Sequence, residues 1–380
     1  MTRRITVTTG TRADYGILRP VLYAIKKSRK LELVLVVTGM HLSRKYGNTI
    51  NEIKKDGFKI SKTIPFMPKR DTNYEMSVAL GHGIISFSDV FRKLEPDVNL
   101  VLGDRDEMLA SAIAAYHMNI PNAHIHGGDR SKGGIDEYTR HAITKISNLH
   151  FAASKKSYNR IIKMGENPKF VFHTGSPSID EIKQNNITAK NDLEEKYDIK
   201  FGGREVLLLQ HPVTTQSEQS KSQILETLKA LTQIKSPTIA IAPNSDAGNS
   251  EIFKSLAEYS RKHNFIRVYS TLPRSDFLGF LKHSQVFVGN SSSGMIEANY
   301  FDTPVVNIGI RQEGRETGSN VINVKNSKNE IINAIQKCLK RKTLPKNQKI
   351  YGTGNAAQKI VSCLETVHLD KELIKKQIYY

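Results

Sequence analysis

Short β-branched apolar runs alternate with amphipathic helical stretches along nearly the whole chain. Strand candidates in the first half are 5–10 (ITVTTG), 33–39 (LVLVVTG), 98–104 (VNLVLGD), 123–128 (AHIHGG), 149–154 (LHFAAS) and 170–175 (FVFHTG). The pattern restarts with 206–212 (VLLLQHP), 238–244 (TIAIAPN), 265–270 (FIRVYS), 286–294 (VFVGNSSSG) and 305–311 (VVNIGIR). Most of these runs are continuously apolar and finish on Gly, Ser or Asp. Strands covered on both faces, with functional ends, read this way. Helical patterns such as 222–234 and 249–263 lie between them. Two successive βα arrays predict an α/β protein with two Rossmann-like, doubly wound parallel sheets.

Between Ser176 and Gly203 the chain turns polar, charged and strand-free. The boundary is therefore placed there, with an N-terminal domain over 1–180 and a C-terminal one over 200–354. The last helical pattern, 355–369, has no strand after it, and the segment 355–380 is expected to return onto the first domain. Open α/β sheets bind ligands at the carboxyl ends of their strands, so two facing sheets predict a ligand in the cleft between them.

Length agrees with this layout: 380 residues fit two domains of roughly 150 residues or more. The 38% hydrophobic and 24% charged residues suffice for buried cores. No run of about 18 apolar residues occurs, so neither a transmembrane helix nor a membrane partner is expected. The opening MTRRITVTTG enters a strand pattern at once, without the apolar core of a signal peptide, and two cysteines make no disulfide framework. A reducing cytoplasm is the expected location. Fifty-six Lys and Arg against 37 Asp and Glu give +19. That balance allows nucleic acid, acidic membranes or anionic small substrates. The basic residues are scattered, however, with one modest concentration at Lys337–Lys342, Lys346 and Lys349, and Trp is absent. A solvated basic surface accounts for such a spread, and a nucleic-acid partner is not expected.

The chain contains no GxxxxGK[ST] loop, no GxGxxG after the first strand and no HExxH, so no nucleotide cofactor or zincin metal is expected. Polar clusters instead gather at strand ends. In TTGTRADYG, Gly10 allows a tight turn and Arg12 stands where a helix begins, suited to a phosphate or sugar oxygen, or simply exposed at a βα turn. In GNSSSG, backbone N–H groups and the hydroxyls of Ser291 and Ser292 could converge on an anion at a helix N-terminus; the alternative is an ordinary Ser cap. Glu297, on the same helical pattern, could accept from both ribose hydroxyls, or be one more exposed helical Glu. GDRDE, HIHGGD and GGIDEYTRH bring Asp104, His126 and Asp136 to one sheet edge, where paired titratable groups suit proton transfer. His124, His126, Asp104 and Asp129 form an alternative metal-ligand set, although strand alternation sends the two histidines to one face with an apolar neighbour between them. His211 ends a strand in QHPVTT, where an imidazole could bridge phosphate and sugar or act as an acid, or be a structural His; Arg311 and Arg315 lie in a Gly-rich loop with Glu313 and Glu316, fit to grip a diphosphate.

These clusters, in this order, resemble the hydrolysing UDP-N-acetylglucosamine 2-epimerases of sialic-acid-type sugar biosynthesis. The matching stretches are GTRADYG, TGMHLSRKYGNT, GDRDE, GGIDEYTRHAITK, QHPVTT, PNSDAG, GNSSSG, GIRQEGRETG and KIYGTGNAAQKI, and they span about 6 to 360. The resemblance implies a glycosyltransferase-B-like pair of Rossmann-like domains facing a cleft, with the nucleotide on the C-terminal one. It implies anti elimination of UDP across C1–C2 to a glycal, then addition of water to release N-acetylmannosamine. No cofactor or metal is implied; the partners are the nucleotide sugar and further copies of the chain, in a dimer or tetramer. Residue by residue, Asp104 matches the Asp of the GDR motif, Asp136 the acidic residue after the GG loop, and His211 the His of the HPVT motif. Arg12, Asn244, Ser291, Ser292, Glu297 and Arg311 match nucleotide-sugar contacts, and Leu272 falls where the family's backbone meets uracil. Where the family carries Glu in HIEGGE, this chain reads HIHGGD with His126 in that place, which an imidazole near neutrality can serve. That departure admits a GDP-linked or 4-amino-modified substrate. A non-hydrolysing epimerase and a glycosyltransferase on the same fold are the alternatives.

Overall fold

The structure, a computed structural model, describes residues 2–70, 72–131, 134–184, 187–340 and 349–379. Of the late basic cluster, Arg341, Lys342 and Lys346 lie outside the described residues, as does Gly133 of the GGIDEY loop. The first sheet is built from β1 (Arg3–Thr9), β2 (Leu31–Thr38), β3 (Ile60–Ile64), β4 (Val98–Leu102), β5 (Asn122–Ile125), β6 (Leu149–Ala152) and β7 (Val171–His173). The second comprises β8 (Val206–Leu209), β9 (Thr238–Ile241), β10 (Ile266–Tyr269), β11 (Val286–Gly289), β12 (Val305–Ile308) and β13 (Val321–Val324). Spatial order is β3-β2-β1-β4-β5-β6-β7 in one and β10-β9-β8-β11-β12-β13 in the other. Every pairing is parallel. This is the doubly wound α/β architecture expected from the alternation of strands and helices.

All eleven expected strands form, and the central ones are buried at every position, as in VNLVL of β4 and VLLL of β8. Helices on both faces require that pattern. Two strands were not expected: β3 (ISKTI) and β13 (VINV), each at a sheet edge and only partly buried. Edge strands need less apolar character, so they carry a weaker signal.

The chain divides into two compact units, one of Met1–Asp129, Asp136–Gln184 and Tyr351–Tyr380, the other of Arg130–Ile135 and Asn185–Ile350. Within the first unit, the helix Ala356–Thr366 buries Ile360, Val361 and Leu364 in the same core as Ile5, Leu18 and Leu22. Each such side chain contributes about 1.5–3 kcal/mol. Asp180 caps that helix from elsewhere in the chain, accepting from the N–H groups of Ala356 (3.0 Å) and Ala357 (2.9 Å). Within the second unit, Arg315 Nε donates to the carbonyl of Arg130 (3.2 Å) and the N–H of Ile135 to Thr214 Oγ1 (2.9 Å), which is what joins that short segment to it. Cys338 and Cys363 are both buried. Among the described residues no helix is long and apolar enough to cross a membrane.

Candidate active site

Strand order reverses between β1 and β4 in the first sheet and between β8 and β11 in the second. The crevice opened by such a reversal is where doubly wound sheets bind ligands. TTGTRADYG, GDRDE, QHPVTT and GNSSSG leave these strands, while HIHGGD follows β5, PNSDAG β9 and GIRQEGRETG β12.

In the first unit, β1 runs into Gly10 and the helix Arg12–Lys27. Thr11 is its N-cap: its hydroxyl accepts from the N–H of Asp14 (3.2 Å), whose carboxylate accepts from the N–H of Thr11 (3.0 Å), a capping box. Arg12, first in the helix, holds Glu52, with Nε to Oε2 at 2.9 Å. Burial pushes the Asp14 carboxyl up to about 6, against the bond donated by Thr9. Thr9 Oγ1 also meets His41 Nε2 (3.0 Å), and burial brings that imidazole down to about 3.

Beyond β4, Asp104 forms an ion pair with Arg140, whose side chain is 2% exposed. Arg140 lies on the helix Asp136–Lys145, which Asp136 opens, and its Nη1 also donates to the carbonyl of Asp129 (3.2 Å). Residues 136 and 140 are one helical turn apart on one face, so this helix carries Asp136 and clamps Asp104.

His126 departs from expectation. The strand ends at Ile125, and His126 takes a left-handed backbone (φ 64°). Its Nδ1 faces Asp129 Oδ2 (3.0 Å) and its Nε2 faces Ser176 Oγ (2.8 Å), while Asp129 Oδ1 accepts from Ser157 Oγ (2.6 Å). A carboxylate accepts only, so Nδ1 carries a proton toward Asp129, while Nε2 meets the Ser176 hydroxyl. The side chain is nearly buried and engaged at both nitrogens. The other histidine of the metal alternative is engaged as well. Strand alternation stops at Ile125, and His124 turns to the carbonyl of Gly103 (2.7 Å) and to Thr144 Oγ1 (3.2 Å). Among the described residues no three His, Cys, Asp or Glu stand together as a possible metal site.

These buried histidines predict acid lability of the first unit. Burial lowers His41 and His124 to about 3 from 6.5, and lowers His150 as well. Below pH 6.5 the unfolded chain takes up protons there that the folded chain refuses, so stability falls with pH. Asp14, raised from 3.8 to about 6, works in the opposite sense below pH 6. At pH 5 the first two histidines each cost about 2 kcal/mol relative to pH 7, and Asp14 returns about 1. The urea midpoint should therefore be lower at pH 5 than at pH 7; an unchanged or higher midpoint would contradict neutral, buried imidazoles.

In the second unit, His211 follows β8 and is tied on two sides. Its N–H donates to Asn290 Oδ1 (2.7 Å), and its carbonyl accepts from Asn290 Nδ2 (2.9 Å). The N–H of Asn244 donates to His211 Nδ1 (3.1 Å), so the neutral ring carries its proton on Nε2 and presents a donor there. Asn244 also donates from its amide to Asp246. Ser291, nearly buried, caps a 3-10 turn over Ser292–Gly294, accepting from the N–H of Ser293 (3.4 Å), and Ser292 is half-buried. Arg311 Nη1 reaches the carbonyl of Asn290 (3.3 Å). His211, Asn244, Ser291 and Arg311 are thus brought together around Asn290.

Glu297 and Leu272 form a second group. Glu297 opens a separate helix, Glu297–Phe301, and does not share one with Ser292. It is 2% exposed rather than an exposed helical Glu, and Arg274 Nη2 donates to its Oε1 at 2.7 Å. Leu272, also buried, lies two residues before Arg274 on the loop after β10. Arg140, Asp129, Asn290 and Arg274 were not singled out for these roles from sequence. Only Arg140 had a local signal, four residues after Asp136 on one helical pattern.

Residues 23–365 match the model of the UDP-N-acetylglucosamine 2-epimerase family. The chain belongs to this family. Among its relatives, a "UDP-N,N'-diacetylbacillosamine 2-epimerase (hydrolyzing)" of Legionella pneumophila is 40% identical over 99% of both chains. A "GDP/UDP-N,N'-diacetylbacillosamine 2-epimerase (hydrolyzing)" of Campylobacter jejuni is 34% identical, again over 99% of both. The crystal structure of UDP-GlcNAc 2-epimerase from Neisseria meningitidis bound to UDP-GlcNAc superposes with a TM-score of 0.81 at 20% identity, covering 95% of this chain and 99% of that one. That likeness speaks for the epimerase fold.

Proposed function

We propose that this epimerase-family protein hydrolyses UDP-N,N'-diacetylbacillosamine with inversion at C2, releasing UDP and the free 2,4-diacetamido-2,4,6-trideoxymannose. The observation that carries this reading is the 40% identity, end to end, with the Legionella pneumophila relative of that specificity. It takes up the 4-amino-modified substrate admitted by HIHGGD and sets aside plain UDP-N-acetylglucosamine as the preferred one.

A carboxylate of the first unit removes the C2 proton while the C1–O bond to the diphosphate breaks on the opposite face, giving a glycal and UDP. Water then adds hydroxide to C1 and a proton to C2 from the other face. Asp104 and Asp136 are the proton carriers, with Arg140 setting their spacing. His126 exchanges protons only through Asp129 or Ser176, its two bonded neighbours. His211, presenting Nε2–H, donates to the leaving phosphate oxygen, where negative charge grows. Ser291, Ser292, Arg311, Arg12 and Asn244 take the diphosphate and sugar oxygens, Glu297 the ribose hydroxyls, and the backbone at Leu272 the uracil.

Turnover in deuterium oxide tests this. UDP-N,N'-diacetylbacillosamine should yield UDP and a free sugar carrying one deuterium at C2, with kcat/KM well above that for UDP-N-acetylglucosamine. Free sugar unlabelled at C2 would rule out elimination; a preference for UDP-N-acetylglucosamine would overturn the substrate.

A further inference from the structure

We infer that Asn290 is a positioning residue, whose side-chain amide holds His211 and whose carbonyl holds Arg311. For the uses of His211 and Arg311 this rests on the function proposed above.

The parallel ladder between β8 and β11 ends at the pair Leu209–Gly289, with the N–H of Asn290 donating once more to the carbonyl of Leu209 (3.2 Å). Past that point the backbones can no longer pair, because β11 turns into the serine loop. The amide of Asn290 takes over the ladder's work. Its Oδ1 accepts from the N–H of His211 at 2.7 Å, and its Nδ2 donates to the carbonyl of the same residue at 2.9 Å. One planar group thus imitates a strand's donor and acceptor, fixing the peptides on either side of the imidazole. Gly289 makes the approach possible. Its φ is +136°, and a Cβ there would stand 2.0 Å from the carbonyl oxygen of Leu209.

The carbonyl of Asn290 faces the other way and accepts from Arg311 Nη1 (3.3 Å) and Gln312 Nε2 (2.9 Å). Asn290 is 2% exposed, and both ends of its amide are engaged by His211. Only asparagine suits this place: Asp has no donor for the His211 carbonyl, Ser offers one bond at shorter reach, and Gln puts the amide a methylene too far. In GNSSSG, then, the first two residues position and the serines bind.

The test is a double-mutant cycle on the full chain, read as kcat/KM with UDP-N,N'-diacetylbacillosamine beside the affinity for UDP. Asn290→Ala should lower kcat/KM about 100-fold, the scale of an ångström-sized misplacement of a reacting group. His211→Ala should lower it at least as far. Because Asn290 acts through His211, the double variant should match His211→Ala to within about twofold. Because the backbone carbonyl that receives Arg311 survives in Asn290→Ala, UDP affinity should fall no further with Asn290→Ala than with His211→Ala. Should Asn290→Ala fail to fold, Asn290→Asp, of nearly the same shape, enters the same cycle. Multiplying losses in the double variant would overturn the positioning role and leave the proposed function standing. Full turnover by His211→Ala would instead remove His211 from the chemistry, and this inference with it.

Discussion

Asp104→Asn should cost the protein both its turnover and part of its stability. The two losses have different origins and can be separated. The carboxylate is assigned to proton transfer, a contribution of about 100- to 10,000-fold. It is also the ion-pair partner of Arg140, whose side chain is 2% exposed. Removing one member of a buried pair strands the other, at about 3–5 kcal/mol. The lower end applies here, because Arg140 keeps Glu137 at 3.8 Å and the carbonyl of Asp129 at 3.2 Å. Adding Arg140→Met removes the stranded charge and leaves a neutral amide on the partly exposed side of the former pair. The double variant should therefore regain most of the urea midpoint but none of the turnover. If turnover returns along with stability, Asp104 is a counterion and the proton carrier lies elsewhere.

This pair also shows where sequence reasoning stops. Strand identity was legible because burial on both faces writes itself locally, as in VLLL ending at His211 or VFVG ending at the serine loop. Strand ends were legible for the same reason, since the apolar run breaks at Gly103, Gln210 and Gly289. What could not be read was partnership. Arg140 meets Asp104 across 36 positions of chain, Asn290 meets His211 across 79, and Arg274 meets Glu297 across 23. None of these pairs has a spacing rule, because each joins two segments far apart in the chain that the fold brings side by side. The neighbours of His126 were hidden for a subtler reason: the strand ends at Ile125, and a single left-handed residue aims the ring at Asp129 and Ser176. The same limit covers charge: Arg12, Arg140, Arg274 and Arg311 have assigned partners, while most of the +19 belongs to no cluster.

The proposed ribose contact of Glu297 gives the second large effect, with nucleotide affinity as its readout. Glu297 and Arg274 have side chains 2% and 9% exposed and are joined at 2.7 Å. Arg274 also lies over the ring of Phe277, 5.5 Å from its centroid, so the guanidinium is held independently of substrate. A carboxylate gripped in this way is presented in one orientation, suited to two vicinal hydroxyls. Glu297→Gln keeps the shape and one acceptor but loses the charge. Hydrogen bonds to charged groups contribute about 1.5–3 kcal/mol, so UDP should bind about tenfold to a hundredfold more weakly. Arg274→Met tests the grip itself. The carboxylate remains but is left buried without its cation, so both the urea midpoint and UDP affinity should fall, by about 3–5 kcal/mol in stability. Combining Glu297→Gln with Arg274→Met should recover stability toward the parent while UDP stays weakly bound, because the hydroxyl acceptor is absent in both backgrounds. Calorimetric titration with UDP and with deoxy-UDP sharpens the assignment. The parent should favour UDP, and Glu297→Gln should bind the two nearly alike, since the discarded contact is the one that reads the ribose hydroxyl. Unchanged discrimination in Glu297→Gln would place the ribose against some other side chain and make the Arg274–Glu297 pair a purely structural bond.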